Sequence, residues 1–181
     1  MQDVSAPDYY GPPIKAWRTW YVVPADKTSG ELRLRSFVHT DLWEQGEPFE
    51  AQCRLKTEPH DAPDDIHGCG VYAAREPKEL DKYYRNPAYS SGSWMEIWRV
   101  IGEVGLWGKI VPAEKGFRAQ YAYPIRLQVP MRIKGRDLHL SAKEVAIALE
   151  HYSCEVELVD DTLDLDKEHS RYRQMQTYYQ L

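Results

Sequence analysis

The stretch Cys53-Arg-Leu-Lys-Thr-Glu-Pro-His60-Asp-Ala-Pro-Asp-Asp-Ile-His67-Gly-Cys69 carries two thiols and two imidazoles at the spacing C-x6-H-x6-H-x-C. It holds two of the three cysteines and two of the six histidines of the chain. Two sulfurs and two nitrogens are the donor set of a structural tetrahedral zinc. The residues between the donors are polar and interrupted by Pro59 and Pro63, so the segment cannot bury a core of its own and needs another source of order. A bound ion supplies it, because closing such a site is coupled to folding. His67 and Cys69 are two apart, which in extended backbone turns both side chains to one face. Cys53 sits near the end of an apolar run and His60 lies in the loop between, so Cys53, His60, His67 and Cys69 close a chelate from neighbouring chain. The spacing differs from that of a zinc finger, which pairs C-x2-4-C with H-x3-5-H. With four protein donors the site is closed and structural, since a catalytic zinc keeps one position for water. If only three bound, Asp64 or Asp65 would become a possible base.

Outward from this loop the chain reads as β-rich. Before it, Ala16–Val23 (AWRTWYVV) and Leu32–Val38 (LRLRSFV) have strand composition and, in the second, alternation; the turn residues Pro24–Gly30 between them predict a hairpin. Phe49–Leu55 reads as a third strand carrying Cys53. After the loop, Gly70-Val-Tyr-Ala-Ala predicts a buried strand starting just past Cys69, and Pro77–Tyr84 a short helix with proline in its first turn. Residues 86–93 read as loop. Trp94–Val111 is the most apolar stretch, but Gly102, Gly105 and Gly108 argue for bent or bulged strand over helix. Phe117–Met131 alternates as a strand or strand pair interrupted at Pro124. Ser141-Ala-Lys-Glu144 is a capping box opening a helix over 142–152, with Val145, Ala148, Leu149 and Tyr152 on one stripe. Cys154–Val159 alternates as strand, residues 160–166 read as an acidic linker, and Glu168–Leu181 as a polar terminal helix. The expected class is α+β: residues 1–15 a flexible lead-in, 16–135 a β-rich zinc-binding core, and 136–181 a C-terminal helix–strand–helix extension.

Bulk composition limits the function. The 181 residues are 43% apolar, enough for a packed core. Thirteen tyrosines and six tryptophans stand against three phenylalanines, which suits an aromatic sheet core and also contact surfaces. A net charge of −5 is not that of a protein built to neutralise many phosphates. Local basic clusters remain at Lys109, Lys115, Arg118 and Arg126 and at Arg132, Lys134 and Arg136, for which solvated strand faces are the plainer reading. No run of eighteen apolar residues is present, and residues 1–8 lack the basic and apolar regions of a signal peptide. With an odd cysteine count, these features lead us to expect a reducing cytoplasm and metal binding in place of disulfides.

Several motifs together resemble a known group. His60-x-Ala-Pro, Cys69-Gly-Val-Tyr-Ala, Gly105-Leu-Trp-Gly and Gly116-Phe-Arg-Ala-Gln-Tyr-Ala, with Ala16-Trp17-Arg18 on the first strand, are similar to motifs of small uncharacterised proteins of actinobacteria and their phages. The resemblance covers roughly residues 14–128. It implies that the position of His67 is usually a cysteine, itself a zinc ligand type, which is consistent with coordination there; it carries no activity. A weaker resemblance is to ADP-ribosyltransferases. Gly68-Cys-Gly-Val-Tyr-Ala is similar to their G-x-G-(I/F)-Y segment, and Phe37-Val-His39-Thr40 to the strand whose histidine contacts the NAD ribose. That likeness implies His39, Tyr72 and Glu103 as a catalytic set, with Glu103 the carboxylate facing an oxocarbenium ion.

The expectation is a zinc-stabilised binding or regulatory protein acting through protein–protein contact, in a phage or host setting, without a convincing catalytic set. The alternatives are an NAD-using ADP-ribosyltransferase-like enzyme and a single-strand nucleic-acid binder. The latter would stack bases on Trp and Tyr beside Lys109, Lys115 and Arg118; Trp94, Trp98 and Trp107 could line such a face, although core is the plainer reading for large aromatics.

Overall fold

A computed structural model describes residues 8–26, 28–37, 41–54, 60–80, 98–134 and 140–164. Among these residues, eight strands form one sheet: β1 (Asp8–Pro24), β2 (Leu32–Ser36), β3 (Leu42–Trp43), β4 (Phe49–Glu50), β5 (Val71–Ala74), β6 (Trp98–Ala113), β7 (Gly116–Lys134) and β8 (Glu155–Asp164). One α-helix, α1 (Ala142–Leu149), precedes β8. The protein is thus β-rich with a C-terminal helix and strand. No helix among the described residues is long and apolar enough to cross a membrane.

The hairpin of β1 and β2 forms as its turn residues require, with Trp20 opposite Ser36 and Pro24 opposite Leu32. β1, β6, β7 and β5 close into a ring. Trp17 pairs with Glu103 of β6 on one side and Ala74 of β5 on the other, while β5 and β6 both pair with β7. The ring's interior follows strand alternation. Ala16, Trp20 and Val22 of β1 bury beside Val100, Val104 and Leu106 of β6 and Leu127 and Val129 of β7. Trp20 and Trp43 meet edge to face at 5.4 Å, an aromatic core as the composition suggested.

The glycine-rich apolar stretch is one bulged strand, β6, whose register against β7 shifts at Glu103/Val104 and at Trp107/Ile110. Gly108 sits in the second shift with φ +75°, a conformation that glycine adopts without steric cost. Across from the first shift, Pro124 lies within β7. The strand absorbs it as a bulge and is continuous through it, where the sequence suggested an interruption.

The C-terminal segment packs on the same core. Ser141 accepts from the Glu144 backbone N–H and Glu144 reaches back to the Ser141 N–H at 2.7 Å, completing the capping box. Val145, Leu149 and Tyr152 are fully buried. The helix ends at Leu149 and tightens into a 3-10 turn over Glu150–Tyr152, closed by Ser153 in the left-handed region at φ 53°. Tyr152 Oη accepts from the Leu34 N–H at 2.9 Å and donates to the Trp43 carbonyl, tying the helix end to β2 and β3. Burial pushes its phenol well above the usual range.

Four other expectations need correction. Residues 8–15, read as lead-in, are the first part of β1, and its register against β6 shifts between Tyr9 and Ile14, where Pro12 and Pro13 stand. Asp160–Asp164, read as linker, continue β8, because pairing with β7 extends as far as Lys134–Asp164. Cys53 lies beyond the end of β4 instead of within a strand. The segment at Pro77 is a 3-10 turn, Pro77–Leu80, within the described residues. Residues 86–93 and the terminal helix over 168–181 lie outside the described residues.

Candidate metal centre and adjoining cleft

The Cys/His loop is an excursion from what is otherwise one strand along β7. Phe49 and Glu50 pair with Ala122 and Tyr121, the Ala51 N–H donates to the Gln120 carbonyl at 2.8 Å, and the next rung, Ala119, is taken by Val71. Residues 52–70 leave and return between adjacent rungs. An antiparallel bridge of Gln52 with Asp61 draws the start of the excursion together, and this register sets Cys53 opposite His60. The return passes through His67 and Cys69. Gly70 (φ +116°) then lets the backbone drop onto β7, where a Cβ would stand 2.9 Å from the Cβ of Pro63 and 3.2 Å from that of Arg118.

The four residues singled out in the sequence come together. One donor atom from each of Cys53, His60, His67 and Cys69 lies within 4.8 Å of every other, and all four side chains are partly buried. Cys53 Sγ is 3.1 Å from His67 Nε2 and Cys69 Sγ is 3.5 Å from His60 Nε2. The imidazoles meet at 78° with centroids 4.5 Å apart. A tetrahedral ion with ordinary Zn–S and Zn–N bonds separates its donors by about 3.3–3.8 Å, so this cluster is close to the size an ion requires. The donors are near enough to hold a metal ion.

Surrounding groups suit such an ion. Asp64 Oδ1 is 3.5 Å from His67 Nδ1, the carboxylate–imidazole arrangement that orients a ligating histidine and leaves Nε2 to face the ion. The Asp64 N–H donates to Cys69 Sγ at 3.2 Å. The Asp64 carboxylate also accepts from the Ile66 N–H at 2.7 Å, an Asx turn that shapes the loop tip; this bond, with the two histidines nearby, holds its carboxyl below the usual carboxylate range. Burial pushes the Cys69 thiol up and the neighbouring Cys53 thiol adds to the rise, while the Asp64 N–H and Arg118 oppose it. Were both sulfurs ionised, a cation between them would offset their repulsion.

Arg118, read in the sequence as part of a basic patch, is the residue there that the loop uses. Its Nη1 donates to the carbonyls of Asp64, His67 and Cys69 at 2.7, 2.6 and 3.0 Å. One guanidinium on β7 thus gathers the backbone on which two of the donors sit. The visible signal was its position next to the alternating Ala119 and Gln120; the loop it would hold was not visible.

The loop also walls an open cleft of about 1040 Å³ that runs from Cys53 and Cys69 past Tyr72 to Phe37 and Leu42. Arg18 also lines it, from a β1 position with the same parity as Ala16, Trp20 and Val22. Of the set implied by the ADP-ribosyltransferase likeness, Tyr72 lines this cleft and Glu103 does not. Tyr72 is half exposed, with its hydroxyl donating to the Gly68 carbonyl at 2.7 Å. Glu103 is on β6 beside Arg126 at 3.7 Å and is not part of the cleft wall, and His39 lies outside the described residues. Among the tryptophans considered for base stacking, Trp98 is buried with its indole N–H on the Pro130 carbonyl, and Trp107 stacks on Tyr121 at 6.0 Å; Trp94 lies outside the described residues. Of the basic cluster read in the sequence, Lys115 faces Glu79 at 3.8 Å and Arg126 binds Glu157 at 2.7 Å.

Comparison with family models, curated proteins and solved structures finds no match to this chain. Fold and site therefore define the class by themselves: a β-rich protein with a metal-type Cys2His2 cluster looped out from one strand edge.

Proposed function

We propose that the chain is a zinc-stabilised binding protein that acts through contact with a protein partner. The observation that carries this reading is the loop tip. Four donors, Cys53, His60, His67 and Cys69, gather at one point, and the Asx turn at Asp64 holds Ile66 out at 94% exposure, with Tyr72 half exposed on β5. A segment with no core of its own that displays a large apolar side chain suits a docking element better than a packing element. Zinc is the ion that fits two thiolates and two imidazoles in tetrahedral array, and four protein donors leave no position for a substrate water. The sequence likeness to small proteins of actinobacteria and their phages supports a regulatory setting, as an inhibitor or adaptor.

Elemental assay of the purified protein should give about one zinc per chain, the stoichiometry of one four-donor site. A metal-free protein with an unchanged melting curve would sink the reading. Calorimetric titration with NAD should give no binding heat, whereas saturable heat would favour the enzyme alternative. For the contact itself, Ile66→Asp should leave zinc content and melting unchanged while removing partners captured by the wild-type chain.

A further inference from the structure

We propose that the cleft beside the metal loop is a binding site for a small organic acid: one carboxylate seated on Arg18, and an apolar body lying against Leu42, Phe49 and Val71. Arg18 stands on a strand position that otherwise faces the core. Its guanidinium lies over the Trp43 ring at 5.3 Å, donates through Nη1 to the Tyr72 carbonyl and reaches Ser36 Oγ from Nη2 at 3.3 Å. Ser36 Oγ is itself held by the Trp43 indole N–H at 2.9 Å. The guanidinium is therefore fixed in direction. A guanidinium has five N–H donors, and these contacts use two. Nε is shut off from water with no hydrogen-bond partner. Burial lowers the pKa of the group to about 10, and among the described residues the carboxylate that offsets this is Asp41. Asp41 is in turn engaged by Arg54.

The other charges around the cleft are committed. Lys115 faces Glu79, Arg118 holds the loop carbonyls, and Glu50 accepts from the Tyr121 hydroxyl at 3.1 Å. Arg18 is thus an under-compensated cation with a fixed fork lining a cleft that also presents Leu42, Phe49 and Val71. A planar carboxylate matches that fork. A phosphate dianion suits it less well, because Asp41, Glu50 and Glu79 line the same space and the other lining cations are engaged, Arg54 by Asp41, Lys115 by Glu79 and Arg118 by the loop carbonyls. One wall of the cleft is the metal loop, so the inference rests on that loop being ordered.

The test uses the zinc-loaded full chain, with metal content checked separately so that loss of the loop and absence of the site are told apart. A series of monocarboxylates from acetate through hexanoate to 4-phenylbutyrate is titrated and followed by Trp fluorescence and calorimetry, against the matching primary amides and inorganic phosphate. Saturable binding that strengthens with the apolar body, and that the amides and phosphate lack, is the expected result. Arg18→Lys keeps the charge and loses the fork, and should weaken the acids about tenfold or more. Asp41→Asn removes the carboxylate that competes for the Arg18 charge and should tighten them, which keeps the test open if Arg18 variants do not fold. Absence of saturable binding across the series with zinc in place, equal binding of acid and amide, or tighter binding of phosphate would each overturn the proposal.

Discussion

The metal loop and the C-terminal helix–strand unit hang on the same edge of β7 and are ordered by different physics. The loop, residues 52–70, leaves where Gln120 and Ala119 face β4 and β5. The helix and β8 attach farther along, where Arg126 to Lys134 pair in parallel with β8. Helix α1 is held by apolar burial: Val145, Leu149 and Tyr152 join the main core and a capping box closes its start. The loop contributes Ala62 to that core, and its shape comes from four donor atoms, one arginine and one Asx turn. An apolar segment orders itself by leaving water, whereas a polar segment needs a specific partner for each group it fixes.

That contrast can be broken most directly at the donors. Cys69→Ser should abolish zinc binding and lower stability by on the order of 5 kcal/mol, or ~10–20 °C in melting temperature, and a chelator should do the same to the wild-type protein. Far-ultraviolet circular dichroism should keep its α1 contribution below the melt, because that helix does not depend on the loop. Leu149→Ala is the reciprocal change. It should cost about 2–5 kcal/mol through the cavity it leaves, with zinc content unchanged. If removing the metal also melted α1 selectively, or Leu149→Ala released zinc, the two regions would not be independent.

Smaller changes sharpen the comparison. Arg118→Gln should lower zinc affinity by about 10–100-fold in a chelator competition, since it frees the carbonyls of Asp64, His67 and Cys69 and so loosens the array around the ion. Ser141→Ala should cost about 1 kcal/mol in denaturant unfolding and leave the metal untouched. The least effect is expected from Glu157 on β8. Its carboxyl is held below the usual range first by Arg126 and then by Gln128. The folded-state pKa is depressed, so its contribution is present above the ordinary carboxylate pKa and fades as pH falls through the lowered value. Glu157→Gln should remove that part of the acid-side slope of stability, by a small amount because the pair is partly exposed.

Some of this was legible in the chain. The hairpin followed from strand composition on either side of Pro24–Gly30, the helix start from Ser141 and Glu144, and the bulged character of β6 from its glycines. The cluster of Cys53, His60, His67 and Cys69 followed from residue type and spacing. The roles of Arg18 and Arg118 were not legible, although Arg18 has the parity of buried Ala16, Trp20 and Val22, which was a signal. Asp160–Asp164 looked like linker because acidic residues are poor strand formers, and pairing with β7 overrode that preference.

What the sequence determined by itself was local: which residues alternate, which cap, and which four side chains have the chemistry to share an ion. Such properties are set within a few residues by backbone geometry and donor chemistry. Only the tertiary structure decided that β4 and β5 are successive rungs on one strand, that Arg118 grips the loop between them, and that Arg18 faces a cleft. Those facts depend on which strand edges meet, and no short-range preference fixes the pairing of residues so far apart in the chain.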